Sequence, residues 1–203
     1  MVGHALGIRF DETMKGGFAT GVVDPNAGRE RGDMDGTMLA MHASVEIVDL
    51  ERFIDEPEHL GGLSGTIDYP PLGMGLASHS GKFNLFSPAN EPETKYMIYE
   101  LGFLHDGQDR YLAGRKVVRD DPGFDLWSDT TTLYTRLHAG IDTAGEVIGA
   151  GVLTLGVSEL KDLLSTLRVT GALEAADKAS AIAAFGSFFL GELWDSYAGF
   201  ATK

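Results

Sequence analysis

There is no cysteine among the 203 residues. Disulfides, thiolate metal sites and cysteine nucleophiles are therefore excluded. Basic residues are scarce: 16 lysines and arginines stand against 30 aspartates and glutamates, a net charge of −14. Such a surface offers little to phosphates, so nucleic acid and anionic membranes are disfavoured partners. The acidic charge reads first as a means of solubility. No segment reaches the roughly 18 uninterrupted apolar residues of a membrane-spanning helix. The opening stretch, Met1-Val-Gly-His-Ala-Leu-Gly-Ile-Arg9, has no basic region followed by a long apolar one. No signal peptide is expected, and the cytoplasm is the expected location.

Catalytic signatures are missing as well. Gly-x-Ser-x-Gly and the P-loop do not occur; Ser64, in Gly62-Leu-Ser-Gly65, lacks the elbow spacing. Gly149-Ala-Gly151 begins like a dinucleotide loop, but Thr154 stands where the third glycine belongs and no helix signal follows. It reads instead as a strand in which small residues permit close packing. Arg31-Gly-Asp33 is a tripeptide common by chance and carries no weight without a secretion signal.

What is present is strand signal. Prolines number 7 and glycines 27, a balance that suits short strands joined by turns and bulges. From Met38 to Val48, Leu39, Met41, Ala43, Val45 and Ile47 alternate with polar His42, Ser44 and Glu46, the period of a half-buried strand. Asp49 to Ile54 reads as a turn or a single helical turn ended by Pro57. Further strands are expected at Gly65–Tyr69, Lys82–Phe86, Tyr96–Phe103, Tyr111–Val118, Thr130–Leu137 and Glu146–Leu155. Two shorter ones are expected near Gly7–Phe10 and Gly17–Val22. Asp106-Gly107 is the best hairpin signal in the chain and should join Tyr96–Phe103 to Tyr111–Val118. Short connections favour antiparallel pairing.

The last quarter changes character. Ser158 reads as an N-cap, with Leu160, Leu163, Leu164 and Leu167 at i, i+3, i+4 and i+7. A second helix, from about Leu173 to Tyr197, carries a stripe of Ile182, Phe185, Phe189 and Leu193, widened by Phe188 and Trp194. The expected architecture is one α+β, mostly antiparallel β domain over residues 1–203. Its strands fall at about 7–156 and its helices at about 158–168 and 173–197. It should form a barrel or strongly curved sheet, calycin- or lipocalin-like, with the C-terminal helices packed against it.

Candidate sites are few. The six histidines, His4, His42, His59, His79, His105 and His138, include no i, i+4 pair and no His-x-His. The aspartates Asp120, Asp121, Asp125 and Asp129 around Pro122-Gly123 lack the EF-hand spacing and read as a turn; Asp33-Met-Asp-Gly36 is a weaker case. No metal and no cofactor are expected. The strand aromatics are more suggestive. Phe83, Tyr96, Tyr99, Phe103, Trp127 and Tyr134 are the candidate ligand-binding residues, since inward-facing aromatics can line an apolar cavity in a barrel. Phe86 and Tyr111 lie beside them. The alternative is that these rings fill a solid core. If the chain were an enzyme, His42, His138, Glu100 and Arg136 would be the first suspects for a site assembled in space.

Four stretches resemble an accessory β domain associated with bacterial glucose–methanol–choline flavoproteins of the cholesterol-oxidase-like type. They are Phe10-Asp-Glu-Thr-Met-Lys-Gly16, Gly65-Thr-Ile67, Gly81-Lys-Phe-Asn-Leu-Phe86 and Asp125-Leu-Trp-Ser-Asp-Thr-Thr-Thr-Leu-Tyr134. That family's flavin-binding glycine motif and catalytic histidine have no counterpart here. The resemblance thus implies a steroid- or lipid-related accessory module, with a flavoprotein as partner, and not an oxidase. The resulting expectation is a non-catalytic barrel for an apolar, sterol- or lipid-like molecule or a lipid-metabolising partner. An enzyme with an acid–base site inside the barrel, or a homo-oligomerisation module, are the alternatives.

Overall fold

The alternation read at 38–48 extends around the whole molecule. In a computed structural model, which describes residues 5–89, 94–119 and 130–197 (side chains up to 192), nine strands form one antiparallel sheet. In chain order the elements are β1 (Gly7–Thr20), α1 (Pro25–Asp35), β2 (Met38–Ile47), α2 (Leu50–Asp55), β3 (Leu60–Tyr69) and β4 (Gly73–Pro88). Then follow β5 (Thr94–His105), β6 (Gln108–Arg119), β7 (Thr132–Ala139), β8 (Val147–Thr154), α3 (Val157–Thr166), β9 (Arg168–Thr170) and α4 (Ala175–Tyr197). Strands β1 to β8 pair in sequence order, and β8 returns to β1, so eight strands close a barrel.

The closure has a seam. One edge of β1 pairs with β2 from Ile8 to Gly17. The other edge is divided: Gly7, Ile8 and Arg9 pair with β9, whereas Lys15 to Thr20 pair with β8. Between those two ladders a side chain of α3 takes over. The Asp11 amide donates to Thr166 Oγ1 at 2.9 Å, and the same hydroxyl donates to the Asp11 carbonyl at 3.2 Å. The two N-terminal strands expected from the sequence are one 14-residue strand.

The hairpin is as read. His105 pairs with Gln108, and Asp106 and Gly107 both take positive φ (50° and 72°), the backbone of a two-residue type I′ turn. Helix α3 lies where the leucine spacing put it, but its N-cap is Gly156 rather than Ser158 and makes no side-chain cap. In α4, Phe185, Phe188 and Phe189 face the barrel, while Ile182 is half-exposed and Ala181 is the buried residue of that turn. Leu193 and Trp194 lie outside the described side chains, and the aspartate cluster 120–129 outside the described residues.

Helix α1 has no counterpart in the sequence reading. Asp24 caps it by accepting from the Ala27 amide, Pro25 opens it, and Gly36 ends it at φ 69°. It holds Arg31-Gly-Asp33 and Asp33–Gly36, and its charges pair along its own surface as Arg29–Asp33 and Arg31–Asp35. It docks on the barrel through two glycines four residues apart. A Cβ on Gly28 would lie 2.0 Å from the Ala150 carbonyl oxygen, and one on Gly32 would lie 2.2 Å from the Phe18 nitrogen. Gly32→Ala is therefore expected to cost ~1–3 kcal/mol in urea denaturation, because backbone cannot yield as a side chain does. Gly186→Ala in α4, where a Cβ meets nothing within 4 Å, should be neutral or stabilise by ~0.5–1 kcal/mol.

Candidate functional site

The barrel is filled at one end and hollow at the other. At the filled end the pairing register gathers Phe18, Leu39, Ile67, Tyr69, Phe103 and Leu137, all buried. Phe18 and Tyr69 meet edge-to-face at 5.1 Å, and the Tyr69 hydroxyl donates to the Phe18 carbonyl at 3.3 Å. At the other end lies a cavity of about 560 Å³. Phe10, Phe83, Leu85 and Met97 from the strands, with Leu155 just past the end of β8, supply its apolar wall. Leucines of α3 and Phe185 and Phe189 of α4 roof it.

The roof is held by specific contacts. Phe185 packs on Phe10 at 6.4 Å, and Phe189 on Phe86 at 5.3 Å. Phe188 meets His59 at 4.7 Å and Phe53 at 5.7 Å. Phe86 carries a positive φ of 55° at a register shift in β4, an outlier for so bulky a residue. The irregularity lets Phe83, Leu85 and Phe86 all be buried, where strict alternation would expose one of them. Lys95 of β5 bonds Glu192 of α4 at 2.5 Å, and Lys15 of β1 bonds Glu159 of α3 at 2.8 Å.

Two charges point into this apolar space. Glu12 shares the inward phase of β1 with Ile8, Phe10 and Met14 and is 5% exposed. Lys116 shares that of β6 with Leu112 and Val118 and is 2% exposed. Tyr99 stands between them on β5. Lys116 Nζ donates to the Tyr99 hydroxyl at 3.4 Å and lies 4.8 Å from its ring centre. Burial, then the facing Glu12 carboxylate, holds the Tyr99 hydroxyl well above the usual phenol range, so it stays a neutral donor. Burial lowers the Lys116 ammonium, and the attraction of Glu12 opposes that shift. Glu12 Oε1 is buried with no hydrogen-bond partner, an exception in a folded protein that marks a place for a ligand donor. Thr130 and Thr131 add hydroxyls to the same wall.

Of the six aromatics proposed from the sequence, Phe83 and Tyr99 line the cavity, 5.1 Å apart and edge-to-face. Phe103 belongs to the filled end. Tyr96 and Tyr134 are on the outer face by strand alternation: Arg115 covers the Tyr96 ring at 4.6 Å, and Tyr134 is 39% exposed. Trp127 lies outside the described residues. The enzyme suspects are external too. Glu100, Arg136 and His138 share a shallow outer recess of about 290 Å³ with Tyr134, but each is engaged. Glu100 accepts from Tyr111, Arg136 donates to the Val23 carbonyl, and His138 bonds the Gly145 carbonyl. His42 lies elsewhere, between Thr13 and Asp68. Among the described residues no three His, Asp or Glu side chains are placed to hold a metal ion, and no helix is long and apolar enough to cross a membrane.

Fold and site together define a closed eight-stranded antiparallel barrel with a helix-roofed, charge-bearing internal cavity. No family model, curated protein or solved structure matches the chain.

Proposed function

We propose that this protein binds one neutral, largely apolar small molecule inside the barrel. A single hydroxyl or carbonyl of the ligand would lie against Glu12, Tyr99 and Lys116. The supporting observation is the cavity itself: about 560 Å³, apolar but for a few convergent polar groups, the usual composition of a small-molecule site. Its charges discriminate between ligand classes. One buried cation and one buried anion balance each other. A fatty acid carboxylate would bring a second anion against Glu12 and leave the cavity with an uncompensated negative charge, which is costly in low dielectric. A ligand hydroxyl, by contrast, can donate to the unpartnered Glu12 oxygen, and a carbonyl can accept from Lys116.

A sterol-like molecule meets these terms. The resemblance to the flavoprotein accessory domain favours the same class, since Glu12 falls within Phe10–Gly16. Titration calorimetry against sterols, steroid ketones and fatty acids of matched size tests the reading. Neutral ligands should bind at least ~tenfold more tightly than the acids, with a negative heat-capacity change from apolar burial. Absence of binding across the panel would leave the structural-module reading in front.

A further inference from the structure

We propose that Lys116 captures apolar aldehydes or ketones in the barrel as a Schiff base, with Glu12 relaying the proton and serving as counter-ion. This deepens the binding reading and rests on it. Three features of the cavity converge on it. The amine is 2% exposed, lines an apolar chamber, and donates to the neutral Tyr99 hydroxyl. Glu12, from the far side of the barrel, lines the same chamber with one oxygen unpartnered. Tyr99 links the two, accepting from Lys116 and hydrogen-bonded to Glu12. Burial also opposes the charged form of Lys116, as it does for lysines that form Schiff bases.

The step balances. Lys116 gives one ammonium proton to the Tyr99 hydroxyl, which passes its own proton to the Glu12 carboxylate, and the freed amine attacks the carbonyl carbon. The C–N bond forms as the C=O π bond breaks, and an amine proton moves to the carbonyl oxygen to give a carbinolamine. Glu12 returns its proton to the hydroxyl, which leaves as water, and the nitrogen lone pair forms the C=N bond. The ammonium is thus exchanged for an iminium of the same charge, and Glu12 is again a carboxylate beside a cation. The charge balance of the cavity is the same before and after, so the apolar surroundings do not oppose the product.

The test is reductive trapping of the full chain with dodecanal and sodium cyanoborohydride, read by intact mass and peptide mapping. Non-covalent binding of dodecanol is measured by calorimetry in parallel. The expected result is a single adduct on Lys116, formed at least ~tenfold faster than on any exposed lysine, because among the described lysines only that amine is buried and deprotonates readily. Glu12→Gln should slow trapping, and Lys116→Met/Glu12→Gln should abolish the fast phase. Dodecanol binding with label spread over the exposed lysines would overturn the capture and leave the binding reading intact. Neither binding nor capture would overturn both. Peptide mapping of the unaltered protein decides the matter even if a variant fails to fold.

Discussion

Glu12→Leu is expected to destabilise the protein by ~3–5 kcal/mol, and adding Lys116→Met to the same chain to recover most or all of that loss. The single substitution strands a buried ammonium among Phe83, Met97 and Leu155, with only the Tyr99 hydroxyl for company. The double substitution removes both desolvation costs together and leaves two apolar side chains in an apolar cavity. Urea denaturation of the two variants and the parent measures the difference. A cost below ~1 kcal/mol for Glu12→Leu alone would mean that Lys116 is already neutral or hydrated and that the Glu12 charge does not offset its own. The double variant should also lose the preference for hydroxyl- and carbonyl-bearing ligands over plain hydrocarbons. Stability and selectivity would thus move in opposite directions, as expected of polar groups kept for recognition.

Phe18→Ala should be the most costly single truncation at the filled end, at ~3–5 kcal/mol. Phe18 is fully buried, stacks edge-on against Tyr69, and carries on its backbone the contact with Gly32 of α1. Relaxation around the hole is limited. Gly149 and Gly151 of β8 already approach the ring so closely that a Cβ on either would lie 2.9 Å or less from a ring carbon. The loss should not reach the cavity, because Phe18 contributes nothing to its wall. Thermal unfolding should therefore shift markedly at unchanged ligand affinity. A parallel loss of affinity would show that the two ends of the barrel are coupled.

The barrel was legible in the sequence because its strands alternate cleanly: β2 follows the pattern residue by residue, and Asp106-Gly107 specifies its own turn. Helix α1 was not, because it has no apolar stripe; it packs through Gly28 and Gly32, and glycine carries no hydrophobic signal. Its boundaries were nonetheless written in Asp24-Pro25 and Gly36, the capping asymmetry of a helix. The lining of the cavity was half legible. Aromatic enrichment led to Phe83 and Tyr99, but aromaticity alone does not give a face, and phase along the strand separates Tyr99 from Tyr96. The same phase would have found the charges. Glu12 falls in step with Ile8, Phe10 and Met14, and Lys116 with Leu112 and Val118, each a polar residue in an inward position. A pair drawn from opposite sides of a barrel leaves no motif in the sequence.

The seam in β1 gives the two ends of the barrel different mechanical characters. At the filled end the circumference is a continuous ladder, fixed by eight strands and their hydrogen bonds. At the hollow end the hoop is interrupted, and the gap is spanned by Thr166 and the leucines of α3, none of them buried. The diameter there is set by side-chain packing rather than by strand pairing. Compliance is therefore expected at one rim: an outward shift of α3 would break the Thr166 bonds to Asp11 but no hydrogen bond between β1 and β8.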